Sequence, residues 1–129
     1  HSHLGEWINL GANTNNSDLK NNYGLIQLNN NGNIINTKRQ FLGAVIADYS
    51  RTGISTMLNT GTIIGMCANI FGSGFQEKYI PSFSWGRSEV VELDKLLETI
   101  KIIKNRRSLD LYHDEKLFIS SFYNHLNKK

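Results

Sequence analysis

Small and apolar residues recur every six positions through the middle of the chain. Ile46, Thr52, Leu58, Ile64 and Ile70 lead successive hexads, and Ala47, Gly53, Asn59, Gly65 and Phe71 follow them. The fifth position of each hexad is Ser50, Thr56, Thr62, Ala68 or Gly74, all small. The same step opens the chain as Leu4-Gly5 and Leu10-Gly11, with Thr14 again in fifth place. Helices repeat near 3.6 and strands at 2, so neither accounts for a strict six. The pattern predicts a parallel β-helix in which each hexad forms one side of a triangular coil. Its leader points inward onto the leader about 18 residues away, and its small fifth residue fits the bend. Hexads of this class coil left-handed, against the usual crossover rule, so the expected fold is mainly β, a left-handed parallel β-helix.

The rhythm lapses between the two hexad blocks. Leu25-Ile26-Gln27-Leu28 and Ile34-Ile35 flank Asn31-Gly32, a pair that tolerates positive φ and favours a tight β-hairpin, so residues 15–40 or thereabouts form a protruding loop and hairpin. Of the 16 asparagines, 11 fall in the first 36 residues, as suits turns better than strand interiors.

All 11 glycines and the single proline lie at or before Gly86, and the pattern beyond turns helical. Leu93, Leu96, Leu97, Ile100 and Ile103 share one face, with Lys95, Glu98, Lys101 and Lys104 on the others. Ser88 is suited to the N-cap, Glu89 and Glu92 to the first turn, and Arg106 and Arg107 to the negative end. A second helix near Asp114 to Leu126 sets Leu117, Phe118, Phe122 and Leu126 at the same spacing. The division read here is 1–87 for the β-helix and 88–129 for a C-terminal helical pair capping the prism, as solenoids require.

A formal charge of +3 is spread over the chain, which leaves no polycationic face for nucleic acid. Cys67 is the one cysteine, so no intrachain disulfide forms, and its place inside a hexad suggests buried filler. No apolar run is long enough to span a bilayer, and no signal peptide is present, so the cytoplasm is the expected location. His1-Ser2-His3 opens the chain as a tag remnant or the edge of a longer protein. His1-x-His3 lacks further ligands at metal-binding spacing, so no metal site is read. No glycine-rich loop opens a helix after a strand, so nucleotidyl-transfer chemistry is not expected here.

The segment Leu4-Gly5-Glu6-Trp7-Ile8-Asn9-Leu10-Gly11-Ala12-Asn13-Thr14, then Lys20-Asn21-Asn22-Tyr23, the hexads, and Phe71-Gly72-Ser73-Gly74-Phe75 together resemble the carboxy-terminal part of one transferase family. These are the sugar-phosphate nucleotidyltransferases related to bifunctional N-acetylglucosamine-1-phosphate uridylyltransferase/glucosamine-1-phosphate acetyltransferase. The resemblance runs from about Leu4 to Gly86. It implies a homotrimer that moves an acetyl group from acetyl-CoA to the amine of an amino-sugar phosphate. It also implies an amino-terminal nucleotidyltransferase domain outside this sequence, where any Mg would bind. Asn13 replaces the family's second glycine.

The resemblance assigns the general base to a histidine before a Leu-Gly pair, first His1 and second His3, and sugar contacts to Asn22 and Tyr23. An amine attacks a thioester only when neutral, and an imidazole with a pKa near 6.5 can accept the proton as the bond forms. Lys20, Arg39 and Arg51 are suited to the phosphates of the sugar or of coenzyme A. The alternative is a non-catalytic β-helix that trimerises and regulates a nucleotidyltransferase.

Overall fold

The computed structural model describes residues 1–128. The hexads form two-residue strands. β1 (His3–Leu4), β2 (Asn9–Leu10) and β3 (Asn15–Asn16) make the first round, and an excursion carries β4 (Gln27–Asn30) and β5 (Asn33–Asn36). The second round is β6 (Val45–Ile46), β7 (Arg51–Thr52) and β8 (Met57–Leu58), and the third holds β9 (Ile63–Ile64) and β10 (Asn69–Ile70). β11 (Tyr79–Ile80) and β12 (Ser84–Trp85) follow, then β13 (Glu89–Val90).

Successive strands go to three different sheets in rotation. The first holds β1, β6, β9 and β11, the second β2, β7, β10 and β12, all parallel, with β13 antiparallel at the edge of the second, and the third joins β3 to β8, with Phe75 bridged to Met57. Val45 pairs with Ile63, 18 positions on, whereas His3 pairs with Val45, 42 positions on. The excursion therefore inserts 24 residues without shifting the register of the rounds.

The hexad reading accounts for the interior of the later rounds, whereas the first-round leaders Leu4 and Leu10 are exposed. Ile46, Thr52, Leu58, Ile64 and Ile70 are all buried, and the aliphatic ones form one apolar column with Ala44, Ala68 and Ile80. Each aliphatic leader removed from water contributes about 1.5–3 kcal/mol. Thr52 is the polar exception, and its hydroxyl meets Thr14 Oγ1 at 2.7 Å and accepts the Gly11 N–H at 3.0 Å. The fifth-position hydroxyls of Thr14, Thr56 and Thr62 each donate to the carbonyl three residues back, at 2.7–2.8 Å. A buried threonine is thereby satisfied within its own corner.

The left-handed residue of each corner is the fourth of its hexad, one position before the small residue expected at the bend. Tyr49, Ser55, Gly61 and Cys67, each three residues after a leader, have φ between 57° and 67°, as do Trp7 and Asn13 at 58° and 59° in the first round. A left-handed conformation costs most residues about 1–2 kcal/mol, with glycine and asparagine the exceptions. Asn13 thus occupies a left-handed corner, a conformation that asparagine adopts more readily than most residues. Cys67 is buried at such a corner.

The excursion leaves after Ser17, whose N–H donates to Leu58 O at 3.0 Å, and returns where Leu42 N–H donates to Asp18 O at 3.0 Å. Its hairpin forms as expected, with β4 antiparallel to β5 and Asn31 and Gly32 both at positive φ. Ile26 is fully buried against Gly61. A Cβ on Gly61 would lie 2.8 Å from Ile26 Cγ2 and 3.0 Å from Gln27 O, so glycine is needed there for space as well as for φ.

The chain divides into two compact units, His1–Val90 and Val91–Lys129. Ser88 does not cap a helix. Gly86, at φ 61°, reverses the chain, so that Trp85 pairs with Glu89 and Ser84 with Val90, antiparallel. Helix α1 (Leu93–Asn105) starts beyond that strand, with Glu92 as its extended N-cap residue, and α2 (His113–Leu126) follows. Two helical faces also need correction. Lys104 is buried and paired with Glu115. On α2 Ile119 is buried and Glu115, Phe122 and Tyr123 are half-buried, the Tyr123 hydroxyl donating to Val91 O at 2.8 Å, while Leu117, Phe118 and Leu126 stay exposed. The i, i+4 row carrying the ion pair has displaced the more apolar row beside it. No helix among the described residues is long and apolar enough to cross a membrane.

Candidate functional site

The first round and the foot of the excursion meet at His1. Its carbonyl accepts the Gly43 N–H at 2.9 Å, which lays residue 1 beside the returning limb. The outgoing limb carries Asp18, and the bridge between Leu19 and Phe41 ties the two limbs together. Within this frame His1 Nδ1 lies 2.7 Å from Asp18 Oδ2. The His1 ring sits 5.3 Å from that of Phe41, tilted by 39°. The imidazole is thus bounded by a carboxylate and an aromatic face yet remains 59% exposed, so a solute can reach it. Next to it, Ser2 Oγ accepts a hydrogen bond from Asn16 Nδ2 and another from the Ala44 N–H.

The remaining candidates separate into two groups. Lys20, Asn22, Tyr23 and Arg39 all lie on the excursion. Lys20 O accepts the Tyr23 N–H at 2.9 Å, and Asn22 Oδ1 accepts the Gly24 N–H at 2.9 Å, so this oxygen serves the turn. Tyr23, at φ 57°, exposes 68% of its surface, and its carbonyl accepts from Gln40 Nε2. Arg39 is exposed, its carbonyl holding the N–H of Ile26. His3 lies on β1 opposite Val45, exposed, and so on the same round as His1. Arg51 does not join them. It stands on β7 between Asn9 and Asn69, in a different sheet from His3.

Two residues absent from the sequence reading belong here. Asp18 is one, and nothing in its spacing of 17 from His1 follows a helical or strand period. The other is Lys78, next to β11, whose ammonium donates to Gln27 O on the hairpin at 3.2 Å. Burial, and then the charge of Lys20, push the Lys78 pKa below its ordinary value. Lys20 thus lies near enough for its charge to act on Lys78, an arrangement that an anion would relieve. Among the described residues, no three His, Cys, Asp or Glu side chains gather as a metal site. A groove of about 490 Å³ in the helical unit, lined by Asp94, Glu98, Asp110, Lys101 and Lys116 among others, contains none of these candidates. Its mixed charges favour no single class of ligand.

Comparison with protein-family models and with curated proteins found no match.

Proposed function

We propose that this chain is a left-handed β-helix that transfers an acetyl group from acetyl-CoA to the amine of an amino-sugar phosphate, working as a homotrimer. Three parallel sheets visited in rotation, with positive φ recurring every six residues, favour the β-helix; its hand is taken from the class of repeat. The observation that carries the activity is the position of His1. It stands at the foot of the excursion that bears Lys20, Asn22, Tyr23 and Arg39, with Phe41 packed on its ring.

In this reading the neutral amine attacks the thioester carbonyl while His1 Nε2 takes the amine proton. The carbon–sulfur bond then breaks, coenzyme A leaves as the thiol after taking a proton, and the sugar keeps the acetyl group. Lys20 and Lys78 meet the sugar phosphate, and Asn22 and Tyr23 contact the ring. Arg51, on another sheet, suits the phosphates of coenzyme A better than the sugar.

The test is thiol release from acetyl-CoA in the presence of glucosamine 1-phosphate. The parent should release thiol at a rate that His1→Ala lowers by about 100-fold or more, with His3→Ala changing it far less. Background release from the parent, or indifference to His1→Ala, would sink the activity. A second reading is favoured by Leu25, Ile34 and Ile35, which the excursion leaves 41–57% exposed. In it the chain is a non-catalytic trimerisation and regulatory module, its hairpin packed on a neighbouring copy. A trimeric mass in solution without thiol release would support that reading.

A further inference from the structure

We propose that Asp18 is the positioning residue for His1, holding its proton on Nδ1 so that Nε2 is left as the basic nitrogen; this rests on the acyl-transfer reading above. An ionised carboxylate only accepts hydrogen bonds. At 2.7 Å from Asp18 Oδ2, a neutral His1 must therefore donate from Nδ1. Its lone pair then lies on Nε2, the nitrogen directed away from the carboxylate by the geometry of the ring. A free histidine side chain prefers the opposite tautomer, with the proton on Nε2, so the contact selects the form that a base needs.

The placement of Asp18 is built rather than incidental. Ser17 N–H donates to Leu58 O on one side, and Asp18 O accepts the Leu42 N–H at 3.0 Å. On the other side of the ring, Phe41 restricts its rotation, and the His1 carbonyl is held by Gly43. As a stabilising ion pair an exposed contact of this kind counts for little. Its consequence is orientation, and it makes the excursion a part of the base and not only a wall for the substrate.

Nitrogen-15 NMR of the imidazoles at about pH 8 reads the tautomer directly, with His1→Ala identifying the His1 signals among the four histidines. The parent should show the Nδ1–H pattern, and Asp18→Asn should move His1 toward the Nε2–H pattern. Asp18→Asn should also lower kcat for thiol release by about 10–100-fold, with little change in KM for acetyl-CoA. Asp18→Ser repeats the measurement should the asparagine variant fold poorly. A parent already in the Nε2–H form, or variants that leave the tautomer unchanged, would overturn the proposal. A parent with the Nδ1–H pattern that releases no thiol would overturn the acyl-transfer reading instead, and would leave Asp18 as the residue that sets the His1 tautomer.

Discussion

The rounds at residues 45–70 and the excursion at residues 18–41 belong to the same compact unit but are held by opposite means. In the rounds Ile46 lies opposite Ile64 and Thr52 opposite Ile70 one round on, so the core repeats and every strand has a parallel neighbour. The excursion has one antiparallel pair of its own and a single fully buried aliphatic anchor, Ile26, seated on Gly61. Repetition spreads stability over many equivalent contacts, as in other solenoids. An anchored hairpin concentrates it in one. The proposed chemistry therefore sits on the less redundant of the two regions, braced at its foot by the more redundant one.

The largest effect should come from deleting a leader. Ile64→Ala removes a side chain that is 1% exposed from the middle of the column. It should lower the free energy of unfolding by about 2–5 kcal/mol in urea denaturation. A loss below about 1 kcal/mol would show that the column is not the source of stability.

Ile26→Ala deletes a comparable volume from the excursion and should act locally. Hydrogen exchange of the Ile26 and Thr37 amides, which donate to Arg39 O and Ile26 O, should accelerate sharply. The Val45 and Ile63 amides, which donate to Thr62 O and Lys78 O, should keep their protection. Equal acceleration of both sets would erase the distinction between the regions.

The smallest effect concerns Lys78, where the two regions meet. Its lowered pKa means that the folded state holds this proton less tightly than the unfolded chain does. The resulting penalty is in full force below the folded value. It is relieved as pH rises from there toward the ordinary 10.5, so stability gains with pH in that window. Lys78→Gln should stay within about 0.5 kcal/mol of the parent at pH 7 and should flatten the rise. Parallel stability curves for parent and variant between pH 7 and about 10 would show that Lys78 is not under this strain.

Much of the contrast was visible in the residues themselves. The spacing of six names the buried leaders, and Asn31-Gly32 places the hairpin turn, because period and turn chemistry are local properties of the chain. The limits of the helical tail were less legible. Ser88 has the right side chain for a cap, but Gly86 turns the chain back and commits Glu89 and Val90 to a strand. On α2, two adjacent rows were both apolar enough to be buried, and Lys104 selected the one bearing Glu115. The left-handed corners at Tyr49, Ser55 and Cys67 gave no signal, since none of these residue types marks positive φ.

The candidate site divides in the same way. Lys20, Asn22 and Tyr23 are neighbours in sequence, so their company on one loop was assured before any folding. The pairing of His1 with Asp18 and the approach of Lys78 to Lys20 were not, for they join residues 17 and 58 positions apart through the return of the excursion to the rounds. The repeat, the buried leaders of the later rounds and the hairpin are legible in the residues alone, because each depends on spacings shorter than a single round. The tertiary structure settled which carboxylate meets the histidine, which lysine feels the charge of another, and which strand edge Glu89 and Val90 take. Those choices depend on how separate rounds and limbs stack, and a stacking partner leaves no periodic trace in the chain.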